Sequence, residues 1–330
     1  MVSIRWRYSA CANLQKNTKM IEAPNALSRQ RWLRRRRQLE ALRLQQLSRF
    51  ARKRGYDSTL DYFLPAINLT LKWSGVLGRG KANAMNIVLR EYELSYPHLP
   101  PGFDGYTLLH LTDLHLDSLP GIEKVICEKI QPLSPDLCVM TGDYRWKSRG
   151  PYSNKVLQPL QEIVRSSSAA DGVYATLGNH DTHEVLEPLE NMGVQVLNND
   201  SVHIHRSQHR MLLSGTDDPH QYYSDEAVEA LSAESGDFKI ALIHSPELYA
   251  EAARCGYDLY LCGHTHAGQI CLPGGRPLIT HLKKGKKLYH GLWQEGNMIG
   301  YTSAGCGVSG IPVRYYSRGE ITIFRLVASK

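Results

Sequence analysis

Asp113 and His115, then Asp143, then Asn179, His180 and Asp181, then His244, and last His264 and His266 set imidazoles, carboxylates and a carboxamide at five points along the chain. The seven cysteines show no C-x-x-C spacing, so the donors are nitrogen and oxygen, which suit Mn, Fe, Zn or Mg rather than a structural zinc knuckle. Two divalent ions would leave the site positive after the carboxylates of Asp113 and Asp143 are counted, and a positive site attracts phosphate. A two-ion centre clamps the attacking and leaving oxygens of an in-line displacement at phosphorus and lowers the pKa of bound water towards ~7. Hydrolysis of a phosphoester by metal-bound water is the chemistry these residues predict.

Each point follows a short apolar run closed by Gly, Asp or Asn. Residues 106–112, 137–141, 173–177, 239–243 and 258–262 read as buried strands, and 122–130, 154–166, 183–192 and 246–255 read as helices between them. This alternation predicts an α/β domain with largely parallel strands. Functional groups in such sheets gather beyond the carboxyl ends of the strands, so the five loops are expected to converge. The i, i+2 spacing of Asp113/His115 and of His264/His266 sends both side chains of each pair to one side of an extended segment. Residues 86–94 also read as a strand, and 300–303, 313–316 and 320–326 as strands without intervening helices.

The series Asp113-Leu114-His115, Gly142-Asp143, Gly178-Asn179-His180-Asp181, His244 and Gly263-His264-Thr265-His266 resembles the five-block signature of the calcineurin-like metallophosphoesterases. The resemblance implies a four-layer α/β/β/α sandwich of two mixed sheets. It also implies a binuclear centre, with manganese favoured over iron, zinc or magnesium. Asp113, His115 and His266 would hold one ion, Asn179, His244 and His264 the other, and Asp143 would bridge. His180 would stabilise the transition state or protonate the leaving oxygen, oriented by Asp181, and Asn179 would also touch substrate. The phrases 110–115, 263–270 and 305–314 are similar to the YkuE-type bacterial branch, which includes hydrolases of the pyrophosphate of UDP-2,3-diacylglucosamine in lipid A synthesis. That branch implies a phosphorylated small-molecule or lipid-linked substrate. Arg145 and Arg314, a cation beside the bridging carboxylate and one beside a glycine-rich loop, are the candidate substrate contacts.

The chain has 330 residues and a formal net charge of +7. Its basic excess lies in residues 1–60, with fifteen Lys and Arg against Glu22, Glu40 and Asp57, while the remainder is mildly acidic. None of the fourteen histidines precedes His98. Three regions follow: a loosely ordered tail over 1–27, a basic helix and linker over 28–85, and the phosphoesterase domain over 86–330. The predicted helix spans 28–54, and Arg36 and Arg43 interrupt the apolar arc of Trp32, Leu39, Leu47 and Phe50. A firmly packed core helix is therefore not expected there. Its other readings are a solvated helix, a nucleic-acid contact, or attachment to an anionic membrane surface. There is no apolar run behind Arg5 and Arg7 and no run of about 18 apolar residues, so neither a signal peptide nor a membrane span is expected. The free-thiol cysteine pattern points to a cytoplasmic protein, peripheral on the inner face of the membrane where the substrate is a lipid. A non-catalytic scaffold of this fold would be expected to lose ligands, yet all seven are present with His180. A nuclease finds no basic groove in the acidic remainder.

Overall fold

The computed structural model describes residues 26–46, 63–232 and 235–329. The predicted tail to residue 25 and the end of the predicted basic helix, 47–54, lie outside them. In chain order the first sheet receives β1 (Val88–Tyr96), β2 (Thr107–Leu111), β3 (Leu137–Met140), β4 (Val173–Ala175) and β5 (Val194–Val196). The second receives β6 (Asp200–Arg206), β7 (His209–Gly215), β8 (Phe238–Leu242) and β9 (Leu259–Cys262). A two-residue ladder of β10 (Cys271–Leu272) and β11 (Arg276–Pro277) interrupts before β12 (Gly291–Glu295) and β13 (Met298–Thr302) complete the second sheet. The last strand, β14 (Glu320–Ala328), returns to the first.

The sheet orders are β1-β14-β2-β3-β4-β5 and β12-β13-β9-β8-β7-β6. β2 through β5 run parallel, as do β7, β8, β9 and β13, while β14 is antiparallel to β2, and β6 and β12 are antiparallel to their neighbours. Both sheets are therefore mixed, as expected.

Alternation along each strand builds the layers. Leu108, Val139, Tyr174 and Phe324 of the first sheet bury against Met211, Leu213, Ile240, Leu261 and Tyr301 of the second. The intervening residues Leu109, Met140 and Ala175 point the other way, onto helices Ile122–Ile130, Asn154–Ser167 and Leu186–Asn191. On the far side Ala241, Tyr260 and Cys262 pack under helices Asp225–Ser232 and Tyr249–Arg254 through Leu231, Leu248 and Ala252. The order helix, sheet, sheet, helix is the four-layer sandwich.

Besides strands β6, β7 and β12, which the sequence reading did not place, the structure departs from it at residues 313–316, at 63–85 and in the basic helix. Residues 313–316 form no strand; Tyr315 makes one isolated bridge to Ile270. The segment 63–85 holds two helices, Leu64–Trp73 and Leu77–Met85, because Pro65 falls in a first turn, where a missing N–H costs nothing. The basic helix, α1 (Ala26–Gln46), is firmly packed: Trp32 is 7% exposed and Arg36 not at all. Trp32 Nε1 donates to Asp217 Oδ2 at 2.9 Å, and the Arg36 guanidinium bonds the other oxygen of that carboxylate. Trp32, an aromatic that the membrane-surface reading of this helix would use, is thus inside the protein. No helix among the described residues is long and apolar enough to cross a membrane.

Candidate metal centre

The loops after β2 and β3 run side by side beyond the sheet, with Asp113 N–H donating to Gly142 O and His115 N–H to Asp143 O, each at 3.0 Å. The loop after β9 joins them from the other sheet, since His264 N–H donates to Asp113 Oδ2 at 3.0 Å. These crossings are tight: a Cβ at Gly263 would collide with Asp113 Oδ2, and one at Gly142, which stands at φ +93°, would collide with the backbone of Gly178. Asp113, His115, Asp143, His264 and His266 themselves have φ between 40° and 73°. Left-handed backbone at non-glycine residues is strained by ~1–3 kcal/mol each and persists only where the surroundings fix it.

The donors form one continuous series. His266 Nε2 lies 3.4 Å from Asp113 Oδ1 and 3.1 Å from His115 Nε2. His115 Nε2 lies 3.5 Å and His244 Nε2 3.4 Å from Asp143 Oδ2. Asn179 Oδ1 lies 3.0 Å from His244 Nε2 and 2.8 Å from His264 Nδ1. Ligands bonded at ~2.1 Å have neighbours about 3.0–3.4 Å away, so these spacings match the edges of coordination polyhedra. Asp113, His115 and His266 form one group able to hold an ion, and Asp113, Asp143 and His244 another. All seven expected ligands are buried. His115 Nδ1 faces Arg145 O at 3.0 Å and His244 Nδ1 faces Thr141 O at 2.7 Å. A carbonyl can only accept, so both rings donate from Nδ1 and keep Nε2 for the centre, the arrangement that orients metal-binding histidines.

Burial pushes the Asp113 carboxyl up to about 6 and the His115 imidazole down to about 4. Burial and neighbouring histidines hold His264 and His266 well below the imidazole range. For His244, burial is outweighed by the carboxylates of Asp143 and Asp113, and its pKa lies well above that range. Asp143 is held well below the carboxylate range, because His244 and His180 outweigh its burial. Without a metal, a proton on His244 sits where a cation fits. Cation uptake should therefore expel that proton, and affinity should rise with pH, by up to about tenfold per unit for one proton. Calorimetric titration in two buffers of different ionisation enthalpy measures the release; an affinity constant from pH 6 to 8 would contradict it.

His180 stands beside this series, its ring 5.1 Å from that of His115. Its Nδ1 bonds the Trp146 carbonyl, not Asp181. The expected orienting role of Asp181 is corrected accordingly. Its buried carboxylate accepts from the N–H groups of Asp143 (2.7 Å), Tyr144 (3.1 Å) and Gly178 (2.9 Å) and from Tyr152 Oη (3.0 Å), tying two loops together. Arg145 and Arg314 are corrected as well, because both are buried and their donors face protein. Arg145 bonds Gly150 O at 2.6 Å and Thr182 Oγ1 at 2.9 Å, with its guanidinium 3.8 Å from the Tyr152 ring. Arg314 bonds Ala304 O at 2.6 Å, Gly307 O at 2.7 Å and His266 O at 3.1 Å, bracing the glycine-rich loop against the second His loop.

Two neighbours escaped the sequence reading. His220 lies with its ring 4.2 Å from that of His264 and its Nδ1 3.2 Å from Glu247 Oε1. Asp217 lies two residues beyond the end of β7, a strand whose polar hairpin partner β6 hid the pattern, and its carboxylate receives α1.

Two mixed sheets whose strand ends converge on a buried cluster of nitrogen and oxygen donors make a site fit for divalent metals, the setting of a metal-dependent phosphoesterase. Residues 106–268 match the family described as calcineurin-like phosphoesterase, a family of binuclear, divalent-metal-dependent hydrolases of phosphoesters. It is similar to the metallophosphoesterase YkuE of Bacillus subtilis (strain 168), 29% identical over 245 residues, covering 72% of this chain and 84% of the relative. It is also similar to YkoQ of the same organism, 29% identical over 238 residues, covering 68% and 85%. A third relative is the phosphodiesterase YaeI of Escherichia coli (strain K12), 29% identical over 236 residues, covering 67% and 82%. These relatives are the YkuE-type branch that the motifs implied.

Proposed function

We propose that the protein hydrolyses a phosphodiester or pyrophosphate, with UDP-2,3-diacylglucosamine as the lipid-linked candidate, at two divalent ions, manganese foremost. One ion is held by Asp113, His115 and His266 and the other by Asn179, His244 and His264, with Asp143 shared. The observation that carries the reading is Asp143 Oδ2, which faces His115 Nε2 and His244 Nε2 at 3.5 and 3.4 Å, so that one oxygen serves both sets. When bound, the ions supply Lewis acidity towards the phosphoryl oxygens and lower the pKa of water. His180 keeps Nε2 for the substrate, because Nδ1 is committed to the Trp146 carbonyl, and in its protonated form Nε2–H donates to the departing oxygen. Asp143 Oδ1 accepts from His180 N–H at 2.8 Å, so the shared carboxylate also fixes the main chain of the acid. The name of the Escherichia coli relative favours a diester over a monoester. Manganese-loaded protein should turn over bis-p-nitrophenyl phosphate and a UDP-acylsugar; turnover of p-nitrophenyl phosphate alone would overturn the reading.

A lipid-linked substrate requires a surface near the bilayer, and in this reading it belongs to residues 63–81. Phe63, Leu69 and Trp73 are 62%, 55% and 83% exposed on and beside a helix with no buried residue, with Lys72, Arg79 and Lys81 exposed around them. Apolar and aromatic side chains among cations suit the headgroup region of an anionic bilayer. Wild type is expected to float with phosphatidylglycerol vesicles and Trp73→Glu to remain in the dense fraction. Equal flotation would remove the membrane role of this helix.

A further inference from the structure

Every carbonyl oxygen of residues 178–181, the loop that carries Asn179 and His180, accepts from a guanidinium. Arg36 Nη2 donates to Gly178 O at 3.3 Å and Asp181 O at 2.6 Å, Arg43 Nη1 to Asn179 O at 2.7 Å, and Arg145 Nε to His180 O at 3.4 Å. Two of these three arginines come from α1. Arg36 is held in place on every side: by Asp217, by Glu40 Oε1 at 2.9 Å from Nε, and by the face of Tyr222, whose ring centre lies 3.4 Å from Cζ. Arg43 also bonds Tyr222 Oη at 2.9 Å. Glu40 completes the seam, accepting from His183 N–H at 2.9 Å and pairing with His183 Nδ1 at 2.7 Å.

The front of the same loop is fixed by carboxylates. Gly178 N–H donates to Asp181 Oδ2 and His180 N–H to Asp143 Oδ1. Guanidiniums behind and carboxylates in front set the tilt of successive peptide planes, and with it the direction in which the Asn179 carboxamide and the His180 ring leave the main chain. A planar, multi-donor guanidinium suits this better than a point charge, since one side chain spans two carbonyls.

We infer that α1 is a positioning element of the hydrolytic centre, in which Arg36 and Arg43 hold the main chain of the loop presenting Asn179 and His180. The inference rests on the roles proposed above for those two residues. It gives the basic N-terminal helix an occupant within its own chain: the carbonyl groups of a catalytic loop.

Arg43 is the residue to test, because it is only partly buried, whereas removing Arg36 would strand Asp217 as an uncompensated buried charge. Full-length wild type, Arg43→Ala and Arg43→Lys would be compared by backbone hydrogen exchange over residues 178–183, by manganese titration, and by kcat and KM on bis-p-nitrophenyl phosphate. In Arg43→Ala, exchange in the loop should quicken by about tenfold while the melting temperature holds. The weaker of the two ions should bind about tenfold less tightly, the scale seen when a group orienting a ligand is lost. Displacement of the acid should lower kcat by about 10- to 100-fold with KM unchanged. Arg43→Lys, with one donor still in reach, should recover most of each effect. Unchanged loop exchange in Arg43→Ala overturns the inference, as does a rise in KM with kcat and ion affinity intact, which would mean that Arg43 touches substrate. If wild type itself neither binds manganese nor turns over the diester, the proposed function fails, and the exchange comparison still decides whether α1 holds the loop.

Discussion

Asp143→Asn is expected to lower kcat by about four orders of magnitude, the scale reached when one member of a group acting as a unit is removed, and to leave at most one tightly held ion. The change is nearly isosteric, so the fold should survive; what goes is the charge. In the proposed reading Asp143 would supply the oxygen common to both ligand sets, and its charge helps outweigh the burial of His244, holding that imidazole's pKa well above the usual range. Its other oxygen accepts from His180 N–H, a bond that a carboxamide oxygen can still make. Loss of activity in this variant should therefore come with loss of metal, measured by elemental analysis after gel filtration. Two retained ions and turnover within tenfold of wild type would remove Asp143 from the bridging position.

The second large effect separates acid catalysis from metal binding. His180→Ala should lower kcat by about 10²–10⁴-fold, the usual contribution of a placed general acid, while both ions remain. The ring lies beside His115 without belonging to the series of donor contacts, and its Nδ1 is fixed by a main-chain carbonyl. Metal loss in step with activity would instead make His180 a ligand.

The seven donors were legible because their chemistry is carried by residue type and their convergence by strand position: Asp113, Asp143, Asn179, His244 and His264 each lie within four residues of a strand end, and a parallel sheet brings such ends together. The layer order was legible only through the family resemblance, since alternation tells which residues point apart but not which sheet faces which. β6 and β7 were missed because His203, His205, Arg206 and Arg210 give the hairpin a polar outer face. The role of Arg145, Arg314 and Arg36 was hidden for one shared reason. A sequence shows that a cation is present, but not whether the carbonyls that can absorb its donors lie nearby; in all three cases they do. Arg36 and Arg43, which spoiled the apolar arc of α1, are the residues by which the helix docks. An amphipathic pattern presumes that the surface receiving a helix is apolar, and here, beside the apolar contacts of Trp32 and Leu33, it includes the carboxylate of Asp217 and the carbonyls of a loop.

The order of strands in the first sheet has a consequence for how the molecule comes into being. β14 lies between β1 and β2, paired in parallel with one over Val88–Tyr96 and antiparallel to the other. Synthesis proceeds at ~5–20 residues per second, and the strand that joins the first two emerges after every other described strand. Until then the ribosome carries a nascent chain whose opening strand has no neighbour and whose β2 has one bare edge. Glycine-rich residues 305–310, which brace the Asp113 loop through the Gly307 N–H, arrive just before it. Completion of the sheet and closure of the loops around the site are thus both deferred until β14 has emerged, and a chain that stalls before it should fall to proteases as an unfinished fold, not survive as a partly active enzyme.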